Sequence, residues 1–260
     1  MEILVCVKRV PMVGGKIVLT GDSQDVDTRM SGFTISPHEE CAVEEAVQIT
    51  ERLGGTVSVL TLGPPEAADQ LRDALALGAG RAVLLETDGR EWGPIATASA
   101  IVAEVRRRAE AGDGYDLVLC GNEAADTGGY QVGIRVAHAL GWPCATGIKS
   151  LEVAEGGAGS WAVRGGREYR GVQESFEFGL PAVVTVKEGI NLPRYPSLPG
   201  RLRAKRAAIE RHEPVWQDEG LRKQALRVPA TERKQATVLG TGADAVPALV
   251  RVLEEWGVLP

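Results

Sequence analysis

The sequence predicts a three-layer α/β fold built on a mostly parallel sheet. Short aliphatic and β-branched runs alternate with longer stretches of helical period, and Gly or Pro punctuates most of the junctions. Strands alternating with helices in this way call for a sheet covered on both faces. The 260 residues are enough for a sizeable core, and a content of 44% hydrophobic and 25% charged residues is that of a globular chain.

Ile3 to Val7 reads as a fully buried strand, and Thr56 to Leu62 and Asp116 to Cys120 repeat its character. Between the first two, His38 to Leu53 carries a helical stripe of Ala42, Val43, Ala46, Val47 and Ile49, closed by Gly54 and Gly55. Its acidic residues Glu39, Glu40, Glu44 and Glu45 read as first-turn dipole partners and a solvated face. Pro65 to Leu77 and Pro94 to Ala111 are further helices, stopped by Gly78 and Gly112. A turn at residues 155–159 precedes strand patterns at Ser160 to Val163 and Gly171 to Phe178, an antiparallel addition expected to extend the same sheet.

Pro181 to Lys187 is a β-branched strand, with Val183, Val184, Thr185 and Val186 suited to a buried pleat. It runs into prolines 193, 196 and 199, which remove backbone donors, so the chain is expected to leave the sheet there as an arm. Tyr195, Leu198 and Leu202 beside Arg194, Arg201, Arg203, Lys205 and Arg206 give that arm apolar anchors in a cationic surround, which suits a protein partner, although composition alone favours a solvated linker. A final helix, Ala245 to Trp256, has Val246, Leu249, Val250 and Leu253 on one face and is expected to dock on a partner subunit. The division expected is a nucleotide-binding domain over residues 1–188 and a recognition loop and arm over 189–260.

A net charge of −6 argues against nucleic-acid binding, and no apolar run approaches a membrane span, so a cytoplasmic protein is expected. Cys6, Cys41, Cys120 and Cys144 form no Cys-x-x-Cys pair, and His38 with Cys41 lacks a second pair, so no metal is expected. With only His38, His138 and His212 available, no catalytic residue is assigned.

In an open parallel sheet, ligands bind beyond the carboxyl ends of the strands. The turn to read is therefore Gly121-Asn-Glu-Ala-Ala-Asp-Thr-Gly-Gly-Tyr-Gln-Val-Gly133, which leads into an apolar helix through Val132, Val136, Ala139 and Leu140. Gly128 and Gly129 permit close backbone approach, and the helix start offers N–H groups to a phosphate, although Asp126 and Thr127 serving as caps would explain the loop without a ligand. Cys6 at the end of the first strand and Leu62 at the end of the second are expected at the same crevice, where they suit the flanks of an adenine, although ordinary strand-to-helix turns explain Gly63 and Pro64 equally well.

Several segments in fixed order resemble the electron-transfer flavoprotein β subunit. They are Val5-Cys-Val-Lys-Arg-Val-Pro11, Ile35-Ser-Pro-His-Glu-Glu-Cys-Ala-Val-Glu-Glu-Ala-Val47, Leu71-Arg-Asp-Ala-Leu-Ala-Leu-Gly-Ala79, Asp116 to Gly133, Gly141-Trp-Pro143 and Leu180 to Arg206. The resemblance implies a Rossmann-like sheet of the adenine nucleotide α-hydrolase-like type. It also implies a heterodimer with an α subunit that holds the redox-active FAD, and a structural AMP in this chain. On that pattern the nucleotide lies against Cys6, Ser36, Leu62, Gly121, Asp126, Thr127, Gly128, Gly129, Tyr130, Gln131, Val132 and Gly133. Tyr195, Leu198, Pro199 and Arg203 fall in the loop that docks on flavin dehydrogenases. The implied role is an electron relay without turnover of its own. Departures from the family pattern are Met12, Arg170-Gly-Val172, and Glu123-Ala-Ala-Asp-Thr-Gly128 in place of a more acidic phosphate loop. They leave open a second FAD in place of AMP, as in electron-bifurcating relatives that oxidise NADH. A stand-alone adenine-nucleotide module of the universal-stress type is the remaining alternative.

Overall fold

The computed structural model describes residues 1–259 except 13, 15, 16, 157–159, 221 and 230–235. In chain order the elements are β1 (Glu2–Cys6), β2 (Val10–Pro11), β3 (Phe33–Thr34), α1 (Pro37–Leu53), β4 (Thr56–Gly63), α2 (Ala68–Leu77), β5 (Arg81–Glu86), α3 (Pro94–Glu110), β6 (Leu117–Gly121) and α4 (Val132–Leu140). There follow β7 (Cys144–Ile148), β8 (Ser150–Glu155), β9 (Trp161–Tyr169), β10 (Val172–Gly179), β11 (Ala182–Val186), α5 (Leu198–Arg206), β12 (Glu210–His212) and α6 (Val246–Glu255).

Seven strands form one sheet in the order β12-β5-β4-β1-β6-β11-β7, every neighbouring pair parallel. Along each strand, alternate residues enter opposite layers, as the pleat requires. Ile3, Val5, Leu117, Leu119, Val57, Val59 and Val184 join Ala42, Val43 and Ala46 of α1 and Leu71 and Ala74 of α2. Leu4, Leu60, Val83, Val118 and Val183 join Ile101 and Val105 of α3 and Val136 of α4. The chain is thus the expected α/β sandwich.

The late antiparallel strands do not extend that sheet. β10-β9-β8 is a separate three-stranded sheet, closed at Tyr169–Val172 by Arg170 and Gly171, both at positive φ. The parallel sheet takes β7 at that edge in its place, paired with β11. Of the turn expected at 155–159, residues 157–159 lie outside the described residues.

The arm after β11 is more regular than three prolines suggest. Pro199 sits at the second position of α5, where a missing N–H costs no hydrogen bond, and Ser197 Oγ accepts from Gly200 N at 3.1 Å to cap the helix. The chain then returns to the large sheet as β12, whose Glu210, Arg211 and His212 pair with Val83, Leu84 and Leu85 of β5.

By internal contacts the chain forms two units, Met1–Val18 with Val26–Lys223 and Leu19–Asp25 with Gln224–Pro260. In the smaller one, Leu226 N donates to Ser23 O at 2.8 Å, and α6 keeps Val246, Leu249 and Val250 exposed. No helix among the described residues is long and apolar enough to cross a membrane.

Candidate functional site

From β1 the sheet grows through β4 and β5 on one side and through β6 and β11 on the other, so the switch point lies between β1 and β6. Cys6 and Cys120 are register partners at the carboxyl ends of these two strands. Both are buried, and the hydrogen bond between them, with desolvation, pushes the Cys6 thiol well above its ordinary range. Cys6 is not poised as a thiolate nucleophile.

Two loops meet over this end of the sheet. Lys8 Nζ, after β1, contacts Asp126 at 2.7 Å and thereby holds the loop after β6 against the first. Asp126 is therefore spent on Lys8, and the residue at the N-cap position of α4 is Gln131, whose side chain makes no cap hydrogen bond. The first turn of α4 is left without a side-chain cap, behind Gly128 at a φ of +55° and Tyr130 at +54°. Tyr130 bonds to Glu123, which pushes its hydroxyl upward. Around Gly129 there is open space, and a Cβ at Gly128 would approach only Glu123, at 4.0 Å. Gly133, in contrast, seats α4 on the sheet: a Cβ there would lie 2.6 Å from Thr185 Cγ2.

Beneath the loops is a buried carboxylate. Glu39, 6% exposed, accepts from Lys8 N at 2.9 Å and from Ser36 N at 3.3 Å. Burial raises it to about 7, against the pull of those N–H groups and of the Lys8 charge. Gly121 has no side chain because a Cβ would come 2.7 Å from Glu39 Cγ. On the other flank, Gly147 N donates to Thr185 Oγ1 at 3.0 Å, and Thr185 Oγ1 donates to Asn122 Oδ1 at 2.9 Å, tying the ends of β7, β11 and β6 together. His38 Nδ1 accepts from Glu188 N, and its Nε2 lies 3.3 Å from Glu123.

An uncapped helix start with open glycines before it, at the switch point of a parallel sheet, fits a phosphate-bearing ligand on its donor set alone. Residues 26–215 match the family model described as the electron transfer flavoprotein domain. The electron transfer flavoprotein subunit beta of Bacillus subtilis (strain 168) is 38% identical over 215 residues, covering 82% of this chain and 79% of that one. The chain belongs to the electron transfer flavoprotein β-subunit family. The Mycobacterium leprae subunit is 35% identical over 213 residues, covering 80% and 77%. The mitochondrial subunit of Oryza sativa subsp. japonica is 34% identical over 253 residues, 96% of this chain and 97% of that one.

As an electron transfer flavoprotein β-type chain, it brings the twelve residues singled out for nucleotide to one edge of its sheet. Cys6, Leu62 and Gly121 stand at the ends of β1, β4 and β6, Ser36 at the start of α1, and Asp126 to Gly133 run into α4. Tyr195, Leu198, Pro199 and Arg203 lie apart from these, all exposed, on the segment leading into and along α5. The sequence reading missed Lys8, Asn122 and Thr185, and it placed Glu39, Glu44 and Glu45 on a wet face. All three glutamates are buried. For Glu39 a signal was present: Ser36 followed three residues later by Glu is a capping box, and its reciprocal bond forms. For Glu44 and Glu45, the partners Arg194 and Asn191 are some 150 residues away in sequence and give no local sign.

Proposed function

We propose that this chain is the β subunit of a heterodimeric electron carrier. It binds AMP structurally and works with an FAD-carrying α subunit in the cytoplasm. The complex would take electrons from flavin dehydrogenases, such as acyl-CoA dehydrogenases, and deliver them to a membrane quinone oxidoreductase. The observation that carries the nucleotide part is the uncapped first turn of α4 behind Gly128 and Gly129. In this reading the N–H groups of Gln131, Val132 and Gly133 hold phosphate, Cys6 and Leu62 flank the adenine, and Ser36 and Gly121 complete the wall. The Lys8–Asp126 pair keeps the loop closed on the ligand. FAD, when bound in the heterodimer, supplies the redox chemistry. This chain contributes binding and docking and has no turnover of its own. Leu198, with Tyr195, Pro199 and Arg203 around it, is the contact for the dehydrogenase.

The openness around Gly128 and Gly129 also favours a second reading, in which a dinucleotide replaces AMP and the complex bifurcates electrons from NADH. Co-expression with the α subunit, denaturation and chromatography of the released nucleotides separates the two. Equal FAD and AMP is the expected result. A second FAD in place of AMP would install the bifurcating reading. A chain that holds an adenine nucleotide and never associates with the α subunit would overturn both in favour of a stand-alone module.

A further inference from the structure

The segment between β11 and α5 carries three large apolar side chains almost wholly in solvent, with Leu192 89%, Tyr195 95% and Leu198 73% exposed. Its backbone, however, is fastened from both ends. Upstream, Asn191 Nδ2 donates to Cys41 O at 3.0 Å and to Glu45 Oε2 at 2.9 Å. Arg194 then grips two turns of α1 at once. Its Nε and Nη2 donate to Glu44 at 2.9 and 3.1 Å, and its Nη1 and Nη2 donate to Glu51 at 2.6 and 2.9 Å. Its backbone N–H adds a bond to Glu44 Oε2 at 3.2 Å. Downstream, Gly200 presses so closely on α2 that a Cβ would lie 2.6 Å from Ala76 O, and Arg72 Nη1 donates to Ala204 O at 2.8 Å near the end of α5.

The Arg194 clamp differs from an ordinary surface ion pair. Glu44 is 3% exposed, and the guanidinium meets each carboxylate through two N–H groups, a geometry that lysine cannot reproduce. Desolvation raises Glu44, but the bonds from Arg194 and from Gln48 together outweigh it and leave the carboxyl below its ordinary range, and the Arg194 bonds also lower Glu51. Exposed apolar side chains on a loose loop would lose their freedom when a partner docks. On a clamped loop that ordering is already complete.

We propose that Arg194 is a positioning residue for docking: its two-carboxylate clamp on α1 holds Leu192, Tyr195 and Leu198 in their docking arrangement before any partner arrives. This rests on the reading of Leu198 as the docking contact, and the test separates the two claims. Heterodimers carrying R194A, R194K, E51Q, L198A and R194A with L198A are compared by amide hydrogen exchange over residues 192–203. They are also compared by the heterodimer concentration that half-saturates an acyl-CoA dehydrogenase reduced with its thioester substrate.

R194A and R194K are expected to speed exchange about tenfold and raise the half-saturating concentration about fivefold, with flavin content and the saturating rate unchanged. E51Q, which spares the buried Glu44 contact, is expected to fall between wild type and R194A and supplies the result if R194A does not assemble. In the L198A background, R194A is expected to add less than about twofold, because the anchor it positions is gone. Unchanged exchange in R194A overturns the proposal, as do effects of R194A and L198A that simply multiply. Faster exchange in R194A with no kinetic effect of L198A overturns the docking reading, and the positioning role falls with it.

Discussion

Glu39→Gln isolates the energetic consequence of burying a carboxylate under the two loops. In the folded chain burial raises Glu39 to about 7 from an ordinary 4.5. Between those two values the folded state keeps a proton that the unfolded chain has released. Stability from this group is therefore complete below about pH 4.5 and is lost as pH rises through about 7. At 1.36 kcal/mol per pKa unit, the gap amounts to about 3 kcal/mol, and with 6% of Glu39 exposed there is little solvent screening to reduce it. Glutamine keeps a carbonyl to accept from Lys8 N and Ser36 N but does not titrate. Urea unfolding of the full-length chain, followed by tryptophan fluorescence from pH 5 to 8, is expected to show wild type losing about 2.5 kcal/mol relative to Glu39→Gln across that range. At pH 8 the variant should equal or exceed wild type. Parallel pH profiles for the two proteins would refute the argument, since they would mean that Glu39 titrates alike in the folded and unfolded chains.

Gly133→Ala places a methyl 2.6 Å from Thr185 Cγ2, so α4 must lift from β11; a loss of about 1–3 kcal/mol in thermal unfolding is expected, together with loss of bound nucleotide from the purified complex. Lys8→Ala removes an ion pair that is partly exposed and should cost under about 1 kcal/mol, yet protease cleavage within residues 122–131 should accelerate at low ionic strength, where the pair is strongest. Leu119→Ala, at the fully buried centre of β6, should cost about 2–5 kcal/mol in denaturant unfolding without altering nucleotide content in the fraction that folds.

β1, β4, β6 and β11 were legible as runs of Val, Leu and Ile with both faces buried, whereas β5, Arg-Ala-Val-Leu-Leu-Glu, is buried in the same way and was missed. β7 was not legible, because Cys-Ala-Thr-Gly-Ile is small and mixed, and its place is fixed by pairing with β11. β12 is Glu-Arg-His and joins the sheet through backbone pairing and an ion pair from Arg211 to Glu86 of β5, so no hydrophobic pattern reveals it. The prolines of the arm misled because their cost depends on position: Pro199 in the first turn of α5 lacks an N–H that would have had no helical partner. At the site, glycines and strand ends were readable, since open sheets bind at their carboxyl edge. Glu39 had its capping-box spacing, but Glu44 and Glu45 had no local sign, because what turns their wet face dry is the distant segment folded across it.

β12 gives the segment between β11 and α5 a second tether. Residues 187–209 leave from β11 and return to the opposite border of the sheet, with β6, β1, β4 and β5 lying between. At about 4.8 Å per strand the two ends are anchored about 24 Å apart. A single proteolytic nick within that stretch would leave both fragments held, one by β11 in the sheet interior and the other by β12 on its rim and by α5 against α2. The severed chain would migrate as two bands under denaturation and as one particle without it. The exposed side chains of Leu192, Tyr195 and Leu198 are in this way carried on a bridge with two abutments, both of them strands of one sheet.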